Sequence, residues 1–285
     1  MALLLGLFAA LCWSLHDLAA RYFAPQMGGF RLGLFTEFAG LVLLLPLFLH
    51  VPQAGAGDWF LLLVLGLSYG AAVAGLFKAF ALAPVSIVGP LTAGYPALVV
   101  VWGLIHGLAP SPAQYLCMAA ILAGSVVVGR NGPDDGGIHA IATGKFGEVM
   151  FWIVLADVCF AAAIVMGQKL GPVFGEARTA GLLRGPACLL LLPFAWRETA
   201  PRSRLTPGIV TALVVMALLD VMALTGINYM GTLPGKELGA MGISAYGAVA
   251  VLLATLFLGE RVALGQWLGV ILIGAGVAGL GVQAG

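Results

Sequence analysis

Apolar segments long enough to cross a membrane run along almost the whole chain, separated by short breaks rich in polar residues, Gly and Pro. A helix that crosses a bilayer needs about 20 mostly apolar residues. The chain between its breaks predicts ten such helices, numbered here as spans 1 to 10. Their predicted limits are 2–22, 31–50, 58–82, 86–107, 112–130, 146–168, 178–196, 207–230, 240–258 and 262–282. Because these spans use nearly all 285 residues, we expect no soluble domain.

The composition is that of a protein solvated by lipid. Hydrophobic residues make up 61% of the chain and charged residues 9%, whereas a soluble domain has about 25% charged residues. The net charge of +1 gives no electrostatic reason to expect nucleic-acid binding. The first apolar segment has no basic start and no clear cleavage site, so we interpret it as span 1 and not as a removed signal.

Motifs of other membrane functions are missing from the sequence. There is no His-Glu-x-x-His run, no Gly-x-Ser-x-Gly elbow and no GxxxxGK[ST] loop, so neither an intramembrane enzyme nor ATP drive within this chain is predicted. A channel predicts rings of like charge or a filter loop, and neither is visible. The four cysteines lie in apolar segments without metal-ligand spacing. We therefore expect no catalytic residues, no metal and no cofactor.

Two halves of the chain resemble each other. Residues 111–129 align with 263–281 at a separation of 152, and residues 43–48 align with 190–195 at a separation of 147. Five spans per copy is an odd number, so the second copy enters the membrane from the opposite side. Chance similarity among segments rich in Leu, Ala and Gly is the alternative explanation.

The predicted fold is therefore an all-α integral membrane protein, with ten transmembrane helices arranged as two inverted-topology five-helix repeats. The first repeat would comprise residues 1–130, the linker 131–144 and the second repeat 145–285. Transporters are commonly built from inverted repeats, with the substrate site near the midplane between them.

Three segments carry a resemblance to a known family. LFLGERVALGQWLGVILIGAGV (256–277), ALAPVSIVGPLTAGYPALVV (81–100) and LFAALCWS (7–14) resemble the drug/metabolite transporter superfamily in its EamA-type branch. The likeness covers essentially the whole chain. One departure is HGL (106–108) in the first copy, where the second copy has LGE (258–260).

The resemblance implies a function. Bacterial ten-helix members export amino acids and similar small polar metabolites, so we expect a secondary transporter working by alternating access in a bacterial-type inner (plasma) membrane. The alternative is an importer of a quaternary amine, or a carrier of another metabolite such as a nucleotide sugar. The expected partners are a small-molecule substrate and the lipid bilayer, with protons as a candidate coupling ion, and we expect a monomer.

The orientation in the membrane stays open at this level. Basic residues near the span ends number eight on one side and three on the other. Since basic loops mark the cytoplasmic side, this count places both termini outside. The resemblance instead implies cytoplasmic termini.

Polar and aromatic side chains inside the spans are the candidate site. A charge at mid-bilayer costs about 2.5–3.5 kcal/mol on insertion scales, so such residues normally face a partner or an aqueous cavity. The candidate substrate-cavity residues are Trp13, His16, Asp17, Tyr69, Lys78, Thr92, Tyr95, Trp102, Asp157, Phe160, Asp220, Asn228 and Tyr246. Asp17, Asp157 and Asp220 are candidates for coupling transport to protons.

Some of these residues have a second interpretation. Asp17 can pair with Arg21 one turn later, Lys78 can extend to the interface, and Trp102 can mark the edge of the lipid. Span 4 carries Thr92, Tyr95, Val99, Trp102 and His106 at a 3-4-3-4 spacing, which places them on one face of the helix. Pro90 and Pro96 lie within or beside this stripe, and each removes a backbone donor and can kink the helix.

Glu37 and Arg184 occupy matching repeat positions, 147 residues apart. They form either a gate pair that breaks as the repeats rock, a static buried pair, or two separate interface residues. Spans 5 and 10 carry Gly and Ala but no mid-membrane charge, and Gly265 and Gly269 would allow close helix contact. We interpret these two spans as scaffold that packs together, with a dimer surface as the alternative.

Overall fold

The computed structural model describes residues 1–50, 52–130, 145–200, 205–259 and 263–283. These residues form α-helices with one 3-10 helix at Leu45–His50, and no strand occurs among them. The α-helices are α1 Ala2–Met27, α2 Gly29–Leu44, α3 Ala56–Leu82, α4 Val85–Thr92, α5 Tyr95–Ile105, α6 Pro112–Arg130, α7 Phe146–Phe174, α8 Glu176–Leu182, α9 Arg184–Arg197, α10 Pro207–Met230, α11 Lys236–Ile243, α12 Ala245–Leu258 and α13 Leu264–Gln283.

The prediction of an all-α, ten-span membrane protein is confirmed. In the described part of the chain, nine helical segments are long and apolar enough to cross a membrane, and a shorter apolar helix lies at Pro112–Val128, where span 5 was predicted. Spans 1, 3, 5, 6, 8 and 10 are single helices. Spans 4, 7 and 9 are each made of two consecutive helices, namely α4–α5, α8–α9 and α11–α12.

Two spans were predicted to end too early. α1 continues from residue 22 to Met27, and α7 continues from residue 168 to Phe174. Arg21 donates a hydrogen bond from Nη1 to the Phe80 carbonyl at 2.7 Å, so α1 continues past it.

The break in span 4 follows from its prolines. Pro96 has no N–H, so the carbonyl of Thr92 loses the donor that a continuous helix would supply. The chain turns at Ala93 and Gly94 and starts a new helix at Tyr95. The kink that the prolines predict in span 4 is therefore a complete break between two helices.

The turns that end α1 and α7 are equivalent in geometry. Gly28 has φ 90° and ψ 142°, and Gly175, 147 residues later, has φ 89° and ψ 141°. Only glycine adopts such a positive φ without strain. An arginine follows each glycine by three residues, and its side chain bonds to the other half of the chain. Arg31 Nε donates to the Ala195 carbonyl at 3.2 Å, and Arg178 Nε donates to the Leu47 carbonyl at 3.0 Å. This reciprocal pattern is what a pseudo-two-fold axis between two repeats produces.

The two halves interlock around the centre. α1 packs against α10, α11 and α12 of the second half, and α3 packs against α7 and α9. The first helix of each half therefore lies against the third span of the other half. The repeat limits 1–130 and 145–285 stay a prediction, and the proposed linker at 131–144 lies outside the described residues.

α6 and α13 pack against each other, as the glycine pattern predicted. A Cβ atom added to Gly124 would lie 2.7 Å from the Gly269 carbonyl oxygen, and one added to Gly269 would lie 2.6 Å from the Gly124 carbonyl oxygen. Any side chain at either position would force these helices apart. α6 also packs against α4, and both α6 and α13 pack against α12, so this pair supports helices that carry site residues.

Candidate functional site

A small cavity lies at the centre of the helices, with a water-accessible volume of about 30 Å³. Since one water needs about 10–15 Å³ of such space, the cavity has room for about two to three water molecules. Its walls come from α1, α2, α3, α4, α5, α7, α10 and α12, so both halves contribute. The lining residues are Trp13, His16, Asp17, Glu37, Tyr69, Val73, Leu76, Phe77, Thr92, Tyr95, Phe160, Asp220 and Tyr246.

Nine of the thirteen candidate cavity residues line this cavity. The structure brings together Trp13, His16, Asp17, Tyr69, Thr92, Tyr95, Phe160, Asp220 and Tyr246. Lys78, Trp102, Asp157 and Asn228 lie elsewhere, as described below.

One buried ion-pair network borders the cavity. The Arg184 side chain is 0% exposed and lies between two acids: Nη1 is 2.6 Å from Glu37 Oε2, and Nη2 is 2.6 Å from Asp220 Oδ2. Asp220 Oδ1 also accepts hydrogen bonds from Trp13 Nε1 and the Tyr69 hydroxyl, both at 2.7 Å. The network therefore joins both halves of the chain through charge-assisted hydrogen bonds.

A second polar cluster surrounds Asp17. The Tyr246 hydroxyl donates to Asp17 Oδ2 at 2.5 Å, and His16 Nδ1 lies 2.6 Å from Asp17 Oδ1. The Asp17 carboxylate is thus held between α1 and α12. Arg21, the partner in the other interpretation of the sequence, donates to the Phe80 carbonyl.

Aromatic rings form another part of the wall. Phe160 lies near three of them, with ring centroids 6.2 Å from Trp13, 5.6 Å from Tyr95 and 5.8 Å from Tyr69. Trp13 also meets Tyr95 edge to face at 6.3 Å. The faces of such rings attract cations, so the wall offers a surface for an ammonium group next to the Asp17 carboxylate.

Three of the predicted cavity residues have other surroundings. Lys78 Nζ lies 5.5 Å from the centroid of the Phe30 ring. Trp102 is 49% exposed and stacks on His106 at 4.1 Å. Asn228 Nδ2 donates to the Glu176 carbonyl at 3.0 Å and so ties α10 to the start of α8.

The break in span 4 explains why the predicted stripe divides. Thr92 ends α4 and Tyr95 begins α5, and both reach the central cavity. Val99 and Trp102 follow on α5 and line a separate cavity of about 390 Å³ together with Lys169. Residues at this spacing share a face only along one continuous helix, and the two-residue turn removes that condition.

Asp157 is the fourth residue outside the cavity lining. Its carboxylate lies against the α4–α5 break, since a Cβ atom added to Gly94 would lie 3.8 Å from Asp157 Oδ2. Its Oδ1 is buried and has no hydrogen-bond partner in the described part of the chain.

The apolar floor of the cavity and one central contact were not predicted from the sequence. Val73, Leu76 and Phe77 follow Tyr69 on α3 at the spacing of one helix face, which could have identified them. The contact of Arg184 with Asp220 joins two different spans and has no signal in sequence spacing. Among the described residues, no group of three or more His, Cys, Asp or Glu side chains is placed to hold a metal ion.

A ten-span helical protein with a polar cavity enclosed by both of its halves has the architecture of a membrane transporter. The model of the EamA-like transporter family matches residues 1–130 and 148–282. The chain belongs to this family, within the drug/metabolite transporter superfamily, and is a multi-pass membrane transporter. Members of the family are transporters and not enzymes.

The fold is shared with solved structures. One, titled only "Crystal structure of protein", superposes with a TM-score of 0.69 over 99% of this chain and 97% of its own, at 19% sequence identity. At this identity the likeness concerns the fold alone. A search of curated proteins finds no match.

Proposed function

We propose that this protein exports amino acids or similar small polar metabolites by alternating access, with the central cavity as the substrate site. The observation that carries the proposal is the charge pattern at the cavity. Asp17, Glu37 and Asp220 place carboxylates there, and Arg184 places a guanidinium between two of them.

This pattern suits a zwitterion. The Asp17 carboxylate and the neighbouring aromatic faces would receive an ammonium group. Arg184 lies behind the cavity lining, but its Nε is buried and has no hydrogen-bond partner among the described residues. This donor would receive a substrate carboxylate when the walls separate. The aromatic wall of Trp13, Tyr95 and Phe160 would contact the rest of the solute.

In this scheme the small cavity would belong to a closed state. Ligand sites usually have volumes of about 300–1,000 Å³, whereas this cavity has about 30 Å³. A substrate therefore needs a more open arrangement of the same walls. Because both halves line the cavity, relative movement of the repeats would enlarge it, which is the basis of alternating access.

The test is counterflow in proteoliposomes loaded with unlabelled solute. Labelled amino acids, choline and a nucleotide sugar would be offered in separate reactions. We expect amino-acid uptake that excess unlabelled amino acid suppresses. Flux of choline or of the nucleotide sugar without amino-acid flux would overturn the substrate assignment, and no flux from folded protein would contradict the transport proposal itself.

A second candidate is import of a quaternary amine. The specific observation in its favour is the grouping of Trp13, Tyr95 and Phe160 rings beside Asp17, since aromatic faces bind quaternary ammonium groups. The Arg184 guanidinium has no role in binding such a solute. For this reason we favour the amino acid, and the choline arm of the counterflow assay separates the two.

A further inference from the structure

The three intramembrane aspartates differ in their partners. Asp17 is bonded to Tyr246 and lies beside His16, and Asp220 is bonded to Arg184, Trp13 and Tyr69. Asp157 has no ion-pair partner among the described residues, and its Oδ1 is buried without a hydrogen bond. A buried polar atom without a partner is costly and calls for an explanation.

A second unpartnered group lies on the same side of the cavity wall. Tyr95 is 4% exposed, and its hydroxyl is buried without a hydrogen-bond partner in the described residues. Tyr95 begins α5 directly after Gly94, and Gly94 is the residue that the Asp157 carboxylate approaches. Two unpartnered oxygens thus lie next to a break in a membrane helix, where Pro96 also leaves the Thr92 carbonyl without its helical donor.

Among the described residues, the helices packed against α7 place no free positive charge at Asp157. α7 packs against α3, α4, α5, α8 and α10. α5 contributes Tyr95, and α4 contributes no titratable side chain. The titratable groups of the other three helices have other partners or lie at helix ends. Tyr69 and Asp220 bond to each other, and Lys78 lies over the Phe30 ring. Arg178 donates to the Leu47 and Phe174 carbonyls, Asp58 caps α3, and Glu176 and Tyr229 lie at helix ends.

A carboxylate in such a place is stable only when its charge is removed or balanced. Without a basic partner, it must carry a proton or hold a bound cation. The site offers one carboxylate, one phenol and one main-chain carbonyl. This is a small set of oxygens for a metal cation, but it is sufficient for a proton bound to the Asp157 carboxyl group.

We propose that Asp157 binds the coupling proton of this transporter, at the α4–α5 break and next to the substrate cavity. The proposal rests on the transport function proposed above. A proton from one side of the membrane binds a carboxylate oxygen of Asp157 and neutralises it. Release of that proton to the other side restores the anion, so each cycle moves one proton per carboxyl group.

The position of Asp157 links the proton to the cavity. Phe160, which lines the cavity, follows Asp157 by less than one helical turn, and Tyr95 belongs both to the cavity wall and to the break. A change of charge at Asp157 therefore acts on two residues that contact the substrate space. The break gives α5 a turn at which it can shift relative to α4.

The experiment compares two modes of transport in proteoliposomes. Counterflow needs no gradient, whereas accumulation driven by a pH gradient needs a bound proton, and substrate-dependent proton movement is followed with a trapped pH dye. We expect Asp157→Asn to keep counterflow but lose both gradient-driven accumulation and proton movement. The matched control is Glu148→Gln, an exposed acid on the same helix, which should retain all three signals.

Every other outcome of this experiment contradicts either the proton role of Asp157 or the transport function. If Asp157→Asn keeps proton movement, or if a sodium gradient drives the wild type in place of a pH gradient, the proposal is wrong. Loss of counterflow in folded Asp157→Asn would make Asp157 a substrate or structural residue and overturn its proton role. Wild-type counterflow without accumulation in a pH gradient would refute coupling and leave the transport function standing. No wild-type flux of any kind would refute the transport function.

A measurement on the unaltered protein covers the case in which Asp157→Asn does not fold. A hydrophobic carbodiimide reacts with protonated carboxyl groups in apolar surroundings, and peptide mass spectrometry locates the product. We expect labelling of Asp157 that decreases from acidic to alkaline buffer, in parallel with the loss of gradient-driven uptake. Labelling that is absent at Asp157, or independent of pH there, would contradict the proposal.

Discussion

Replacement of Arg184 by methionine tests whether the central network stabilises the fold through paired charge. Arg184 is 0% exposed and makes two ion pairs of 2.6 Å. Removing one partner of a buried pair costs about 3–5 kcal/mol, because a charge remains buried without compensation. Asp220 keeps its hydrogen bonds from Trp13 and Tyr69, so most of the cost should arise at Glu37. We therefore expect Arg184→Met to lower the free energy of unfolding by about 3–5 kcal/mol.

The assay is unfolding in mixed detergent micelles, followed by tryptophan fluorescence. Arg197→Met is the matched control, since Arg197 lies on the same helix but is exposed. We expect it to change the free energy of unfolding by less than about 0.5 kcal/mol. Adding Glu37→Gln to Arg184→Met removes the uncompensated charge and should restore much of the stability. Two results would contradict stabilisation by paired charge. One is a loss of unfolding free energy in Arg184→Met no larger than in Arg197→Met, and the other is a further loss when Glu37→Gln is added.

Two further substitutions test the site and the scaffold. Asp17→Asn should raise the counterflow KM for an amino acid about 10- to 150-fold, because a hydrogen bond to a charged group contributes about 1.5–3 kcal/mol. Trp102→Phe, outside the central cavity, should leave KM unchanged. An equal KM for both variants would remove Asp17 from the site. Gly124→Val should destabilise the α6–α13 contact by about 1–3 kcal/mol, measured by thermal unfolding. Gly274→Val on α13 should have little effect, because a Cβ atom at Gly274 meets open space. Equal melting temperatures for the two variants would contradict the close contact.

The sequence predicts the spans well because the lipid bilayer requires the same thing of each one, a sufficiently long apolar helix. A run of about 20 apolar residues is visible without any knowledge of packing, and α10 begins and ends at the predicted residues. Helix breaks inside spans are less visible. Pro90 and Pro96 signalled a kink in span 4, whereas the break of span 9 at Ser244 has no proline nearby.

The site was predictable where one helix or the repeat determines the geometry. Trp13 and Asp17 share a face of α1, and the repeat separation of 147 residues is enough to match Glu37 with Arg184, which are in contact. Contacts between unrelated spans depend on how the helices pack. The bond from Trp13 to Asp220 joins residues 207 positions apart, and no local pattern reports it.

Repeat symmetry also distinguishes between the two interpretations of the Glu37–Arg184 pair. In an inverted repeat, the opposite-facing state arises when the two copies exchange conformations. The distance between equivalent residues is then the same in both states, because the exchange only swaps their labels. Glu37 and Arg184 are equivalent and in contact, so we expect this pair to persist as a static pivot. The contacts that change should join non-equivalent residues, such as Tyr246 and Asp17.

Exchange of the repeat conformations also predicts a measurable distance. Leu45 and Leu192 are 50% and 49% exposed and lie 147 positions apart, within the aligned segments 43–48 and 190–195. Spin labels on cysteines at these two positions, in a background without the four native cysteines, should give one interlabel distance with and without substrate. A label pair at Leu45 and Leu4, which are not equivalent, should shift. If the Leu45–Leu192 distance shifts on substrate addition, the exchange of repeat conformations is wrong, and Glu37–Arg184 is again a candidate for a gate that opens.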